Sequence, residues 1–199
     1  MSTDVSGNQR PYSTPLCTLF FGASKIGRSV PTHSIKDSDP LMKPFHQGQG
    51  YIWLSDVDEA ITDRFMHYLY TKEYKHTLEI DLEAATLGEF ENAIRLMFAA
   101  ETYGLPTLKA HAEIEVNYLK YKLGPLELFS VIRKMHPYFQ GREWFHSIIM
   151  AEIQSVEEDD LGWPFLLECI HKGTGQDVAL DKLIIRCLLE ALAGTPIDY

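Results

Sequence analysis

The spacing of the apolar residues changes once along this chain, near residue 55, and that change limits the folds open to it. Before it, the apolar runs are short and rich in β-branched and aromatic residues. "LCTLFFG" (16–22) ends on a glycine and reads as a buried strand. "SKIGRS" (24–29) reads as a turn. "SVPTH" (29–33) reads as a second strand, which Pro31 confines to an edge or a bulge because it lacks an N–H. "YIWL" (51–54) reads as a third.

After residue 55 the spacing is helical. Ile61, Phe65 and Leu69 recur every four residues, which puts them on one side of a helix. Ser55 or Asp58 can cap its start by accepting from backbone amides that have no helical partner. Residues 75–90 read as a polar, acidic connection with a short extended piece at "TLEI" (77–80). Ile94, Met97, Ala100 and Glu101 share the next helical face. Gly104 suits the residue just past that helix, and Pro106 the first turn of another lined by Leu108, Ala112, Val116 and Leu119. Four further stripes follow: Leu126/Phe129/Ile132, ended by Pro137; Trp144/Ile148/Ala151; Phe165 to Ile170; and Leu180/Ile184/Cys187/Leu188/Ala191, capped by Asp177. Three short strands followed by seven or eight helices is an α+β pattern, a small three-stranded sheet near the N-terminus packed with helices.

The stretch "HYLYTKEY" (67–74) crowds three tyrosines, a histidine and a glutamate into eight positions. On a helix, Tyr68 and Tyr70 point in different directions, so the group does not converge on one reacting atom. It reads as the last turn and exit of a core helix.

Composition narrows the function. Of 199 residues, 28 are acids and 18 are Lys or Arg, a formal charge of −10, with no basic run. Such a chain repels phosphate backbones and anionic bilayers, which argues against direct nucleic-acid or membrane binding. Three widely spaced cysteines, a polar start and the lack of a long apolar run suggest an intracellular protein, cytoplasmic or nuclear, with reduced thiols.

Taken in order, four stretches resemble the BTB/POZ domain, of the type common in fungal proteins. "TLFFG" resembles its first strand. "SVPTHSIKDSDPLMKPF" resembles the second strand with its Val-His-Lys and Ser-Pro-x-Phe positions. "IWLSDVDEAITDRFMHYLYTKEY" resembles the third strand, the aspartate-rich loop and the helix ending in Leu-Tyr-Thr-Gly-x-Tyr. "LMFAAETYGLPTLKAHAEIEV" resembles the pair of helices carrying Ala-x-x-Tyr-x-Leu-x-x-Leu. Residues 1–15 hold Ser, Thr, Pro, Gly and Asn with almost nothing to bury and read as a disordered tail. The resemblance implies a BTB/POZ domain over 16–120 and a helical extension over 121–199. Four departures stand out. Ser34 follows His33 where lysine is usual. Lys72 replaces the glycine of the tyrosine-threonine-glycine turn, so the backbone there must keep a negative φ or accept strain. Pro44 is expected to break the small second helix early. No apolar helix precedes the first strand, so residues 1–15 are poorly suited to the segment exchange by which many relatives dimerise.

The chemistry-bearing residues read mostly as packing. His33 is expected to pack and hydrogen-bond. The eight histidines include no HxxxH or HExxH, and none pairs with a Cys-x₂-Cys, so no metal site is expected. Cys169 and His171 are two apart and face away from each other on a helix. Glu157 to Asp160 lacks the glycine and spacing of a calcium loop and reads as a solvated bend. No phosphate-cradling or nucleophile-elbow motif is present, so no catalytic residue and no cofactor is expected. In relatives that bind a cullin scaffold, an apolar-x-Glu triplet precedes the Ala-x-x-Tyr helix. In register this chain has Asn92-Ala93-Ile94, which does not fit. Leu87-Gly88-Glu89 fits five residues early, making Leu87 and Glu89 the partner-binding candidates.

The expected function is a non-enzymatic protein-interaction module, an adaptor or scaffold with protein partners such as a cullin-type ubiquitin-ligase scaffold or a second copy of itself. The alternatives are a small enzyme built from distant residues such as His33, Cys169 or Glu101, and a transcription regulator acting through a partner.

Overall fold

The computed structural model describes residues 15–22, 26–75, 83–157 and 162–193. The expected disordered tail up to residue 14, the extended piece at 77–80 and most of the 157–160 bend fall outside them. Pro15, the last residue of that tail, is held by the Thr32 amide, which donates to its carbonyl at 2.9 Å. The fold is mixed α+β. Strands β1 (Leu16–Phe21), β2 (Ile26–Pro31) and β3 (Tyr51–Leu54) form a sheet in the order β2-β1-β3. β1 runs antiparallel to β2, from Leu16 opposite Pro31 to Phe21 opposite Ile26. It runs parallel to β3, from Thr18 opposite Tyr51 to Phe21 opposite Leu54. A parallel pair needs a long crossover, and here it carries a 3-10 turn (Thr32–Ser34) and helix α1 (Asp39–His46). Gly22, at φ +47, ends β1 and donates to the Leu54 carbonyl at 3.0 Å.

The helices that follow are α2 (Glu59–Thr71), α3 (Glu83–Thr102), α4 (Pro106–Lys120), α5 (Pro125–Met135), α6 (Glu143–Glu157), α7 (Gly162–His171) and α8 (Val178–Ala193). The chain divides into two compact units. The first holds Met1–Leu78 and Asn92–Glu115, the second Glu79–Glu91 and Val116–Tyr199.

In the first unit the inner sheet face (Cys17, Leu19, Phe21, Val30, Ile52, Leu54) is buried, as are Ile61, Phe65 and Leu69 of α2. Each large aliphatic or aromatic side chain so buried contributes about 1.5–3 kcal/mol. Asp58, not Ser55, caps α2. Its Oδ1 accepts from the Ala60 amide at 3.1 Å, and its Oδ2 meets Arg95 at 2.6 Å. Gly104, at φ +62, closes α3: the Leu105 amide donates to the Ala100 carbonyl at 2.8 Å. In the second unit Phe129 and Ile132 of α5, Phe145, Ile149 and Ile153 of α6, Leu166 of α7, and Leu180, Ile184 and Cys187 of α8 are buried.

Several expectations are corrected. β2 starts at Ile26, inside the stretch read as a turn, because its ladder with β1 extends to Phe21. α1 continues through Pro44 to His46. The proline removes a single bond near the end of a short helix, and its own carbonyl accepts from the Gln47 and Gln49 amides. α3 starts at Glu83, inside the expected connection. Its first turns are rich in Ala, Glu and Leu, strong enough helix formers to carry Gly88. Glu101 is exposed and paired with Lys109 at 2.7 Å. Leu126, Trp144 and Ala151 do not belong to the buried faces of α5 and α6. Phe129, Ile132 and Ile148 are buried as expected; both helices are apolar on more than one side, and spacing alone draws each stripe partly off the buried face.

Candidate interaction surface

The sheet has a second face. Outward from β1 and β3 stand Leu16, Thr18, Phe20, Tyr51 and Trp53, and Leu16, Tyr51 and Trp53 are exposed. A sheet with one wet face normally carries polar residues there. This one carries an aromatic cluster. The Phe20 ring stacks on Trp53 with centroids 5.7 Å apart and meets Tyr51 edge-on at 5.9 Å. Gly27, opposite Phe20, makes room for it: a Cβ there would lie 2.9 Å from Phe20 Cε1 and 3.1 Å from Thr18 Cγ2. Rigid aromatic side chains have few rotamers to lose and much area to bury, which is what partner anchors need. Sequence reasoning registered "YIWL" as a strand and missed this surface. Its signal is apolar residues at both parities of a strand that the fold covers on one side.

The three tyrosines of "HYLYTKEY" part company. Tyr68 is buried. The exposed Tyr70 donates to the Ser29 carbonyl at 2.5 Å. Tyr74 stacks on His111 at 5.5 Å and donates to Glu115 Oε2, which also pairs with Arg64; Arg64 Nη2 donates to the Tyr74 oxygen at 3.1 Å. Glu115 is buried, and its Oε1 has no hydrogen-bond partner among the described residues. Lys72 ends α2 at φ +60, the one non-glycine residue with positive φ among those described, and its Nζ donates to the Ser34 carbonyl at 2.5 Å.

His33 is exposed on the 3-10 turn rather than packed. Cys169 is buried in α7, and burial pushes its thiol pKa up; His171 is exposed. Leu87 and Glu89 lie half-buried on α3 rather than in the connection expected over 75–90. Among the described residues no group of three or more His, Cys, Asp or Glu could hold a metal. No helix of the described residues is long and apolar enough to cross a membrane.

A groove of about 410 Å³ in the second unit is lined by Ser130, Arg133, Lys134, Cys169 and Lys172. Each cation there is engaged. Arg133 donates to the Gly173 carbonyl at 3.0 Å and to the Ile170 carbonyl, and meets Asp181 at 3.4 Å; Lys134 meets Glu91 at 2.6 Å, and Lys172 meets Glu168 at 3.0 Å. Arg133 thus tethers the end of α7, where helix carbonyls lack partners. Asp177 begins α8, accepting from the Ala179 and Leu180 amides at 3.0 and 3.1 Å and meeting buried His136 at 2.7 Å. Burial works to raise the Asp177 pKa, but the His136 ring and the two amides outweigh it and hold the carboxyl below its usual range.

Residues 30–123, just under half of the chain, match the family described as the HAC6 N-terminal domain. The match runs from the end of β2 to just past α4. No curated protein and no solved structure matches the chain.

Proposed function

We propose that this chain is a non-enzymatic protein-interaction module of the BTB/POZ kind, and that the aromatic face of its sheet is where a partner docks. The exposed Tyr51 and Trp53, packed on a half-buried Phe20, carry the reading, since aromatic rings held in water are costly unless something covers them. The order of strands and helices, with the α1 crossover between β2 and β3, agrees with the BTB/POZ resemblance. A non-catalytic role is favoured because the buried Glu115 and His136 each have a partner of opposite charge type within the fold, the half-buried Arg64 and Asp177.

A specific complex buries about 1,200–2,000 Å² and depends on a few anchors. Affinity purification from native cells, comparing the wild type with Trp53→Glu, tests the reading. At unchanged helical content, the variant loses a defined set of co-purifying proteins. An identical set in both would contradict the proposal. Within this reading, Leu87 and Glu89 are what a cullin-type scaffold would meet, and replacing both with alanine would remove the cullin from that set.

A further inference from the structure

Helix α8 is apolar on two opposite sides. One side, Leu180, Ile184 and Cys187, is buried and packs toward α6. On the other, Val178 is 64% exposed, Ile185 56%, Leu189 45% and Leu192 77%, with Lys182 also exposed. At 3.6 residues per turn these five lie within a narrow stripe. Their spacing is that of a heptad seam, with Val178, Ile185 and Leu192 at d and Lys182 and Leu189 at a. Asp181 then falls at g and Arg186 at the following e.

We propose that α8 pairs in parallel with α8 of a second copy of this chain. Charge selects that occupant. In a parallel two-stranded seam a g residue faces the next e residue of the partner helix, so Asp181 meets Arg186 of the second copy, twice by symmetry. An antiparallel seam would instead face Arg186 with Arg186. Both residues can accept the added pairing. The Asp181 carboxylate is only 16% exposed, its Oδ2 accepting from the Gly175 amide and its Oδ1 meeting Arg133 at 3.4 Å, yet each oxygen has a second acceptor site; Arg186, 44% exposed, gives its Nε–H to Glu190 and has five donors.

The stripe sets the strength. It offers on the order of 400 Å² of apolar surface per copy, so the dimer hides less than a standard interface and is weak. Lys182 at an a position faces Lys182 of the second copy and weakens it further while favouring one register. The inference rests on α8 alone and stands whether or not the sheet binds a partner.

The test is sedimentation of the full chain over a wide concentration range. The mass of the wild type rises towards a dimer with concentration. Lys182→Leu dimerises at a concentration at least about tenfold lower, because the buried like charges are gone. Ile185→Glu stays monomeric with unchanged helical content. Leu192→Cys forms a 192–192 disulfide on oxidation, as a parallel seam requires. A monomer at every concentration in both the wild type and Lys182→Leu overturns the proposal. So does a Leu192→Cys protein that dimerises without the disulfide.

Discussion

Lys72 holds a backbone conformation that costs an L-residue about 1–2 kcal/mol, at the place where α2 must stop. Part of that cost is offset by its Nζ, which bonds the Ser34 carbonyl and lies 5.7 Å from the centre of the Tyr68 ring. Glycine would remove the strain and lose the side-chain bond; alanine would lose the bond and keep the strain. Lys72→Gly is therefore expected to be about 1 kcal/mol more stable than Lys72→Ala in urea titrations, the reverse of the order inside a helix. Glu115 poses the second residue-level question. Removing it takes the Glu115 carboxylate away from Arg64, which is half-buried beside Tyr74. Glu115→Ala is expected to cost about 3–5 kcal/mol, while Arg64→Met combined with Glu115→Leu costs less than that single change. Equal losses in the two proteins would show that the ion pair, rather than its half-removal, sets the stability.

At the scale of elements, α8 is anchored at its start by a carboxylate that the fold keeps ionised. The Asp177 pKa is lower in the folded chain than in the unfolded one. Its contribution is therefore complete above the unfolded value, about 3.9, and is lost as pH falls through the lower folded value. Asp177→Asn should lower stability at neutral pH, and the gap from the wild type should close under acid. A gap independent of pH would contradict this origin. Elements were also what the sequence disclosed best. The four-residue recurrence of Ile61, Phe65 and Leu69 fixed α2, and Gly104 and Pro106 marked the break between α3 and α4, because these signals are local. The inner faces of α5 and α6 are legible only in part, through Phe129, Ile132 and Ile148. Leu126 and Trp144 are apolar enough to belong to a core, and only their neighbours in space decide whether they do.

For the whole molecule, the same two-sidedness hid the candidate site. β1 and β3 are apolar at both parities, which in a linear reading means a strand buried on both sides; a strand open on one side has the same letters. The register that aligns Phe20 with Trp53, and the glycine that leaves space beside it, are non-local facts. The central claim is that this aromatic face docks a protein. The most direct measurement places a photo-crosslinking amino acid at position 53, with the exposed position 113 as control, and identifies the adducts formed in native cells by mass spectrometry. The account predicts a discrete protein adduct at position 53 that is absent at 113. The same background of adducts at both positions would contradict it.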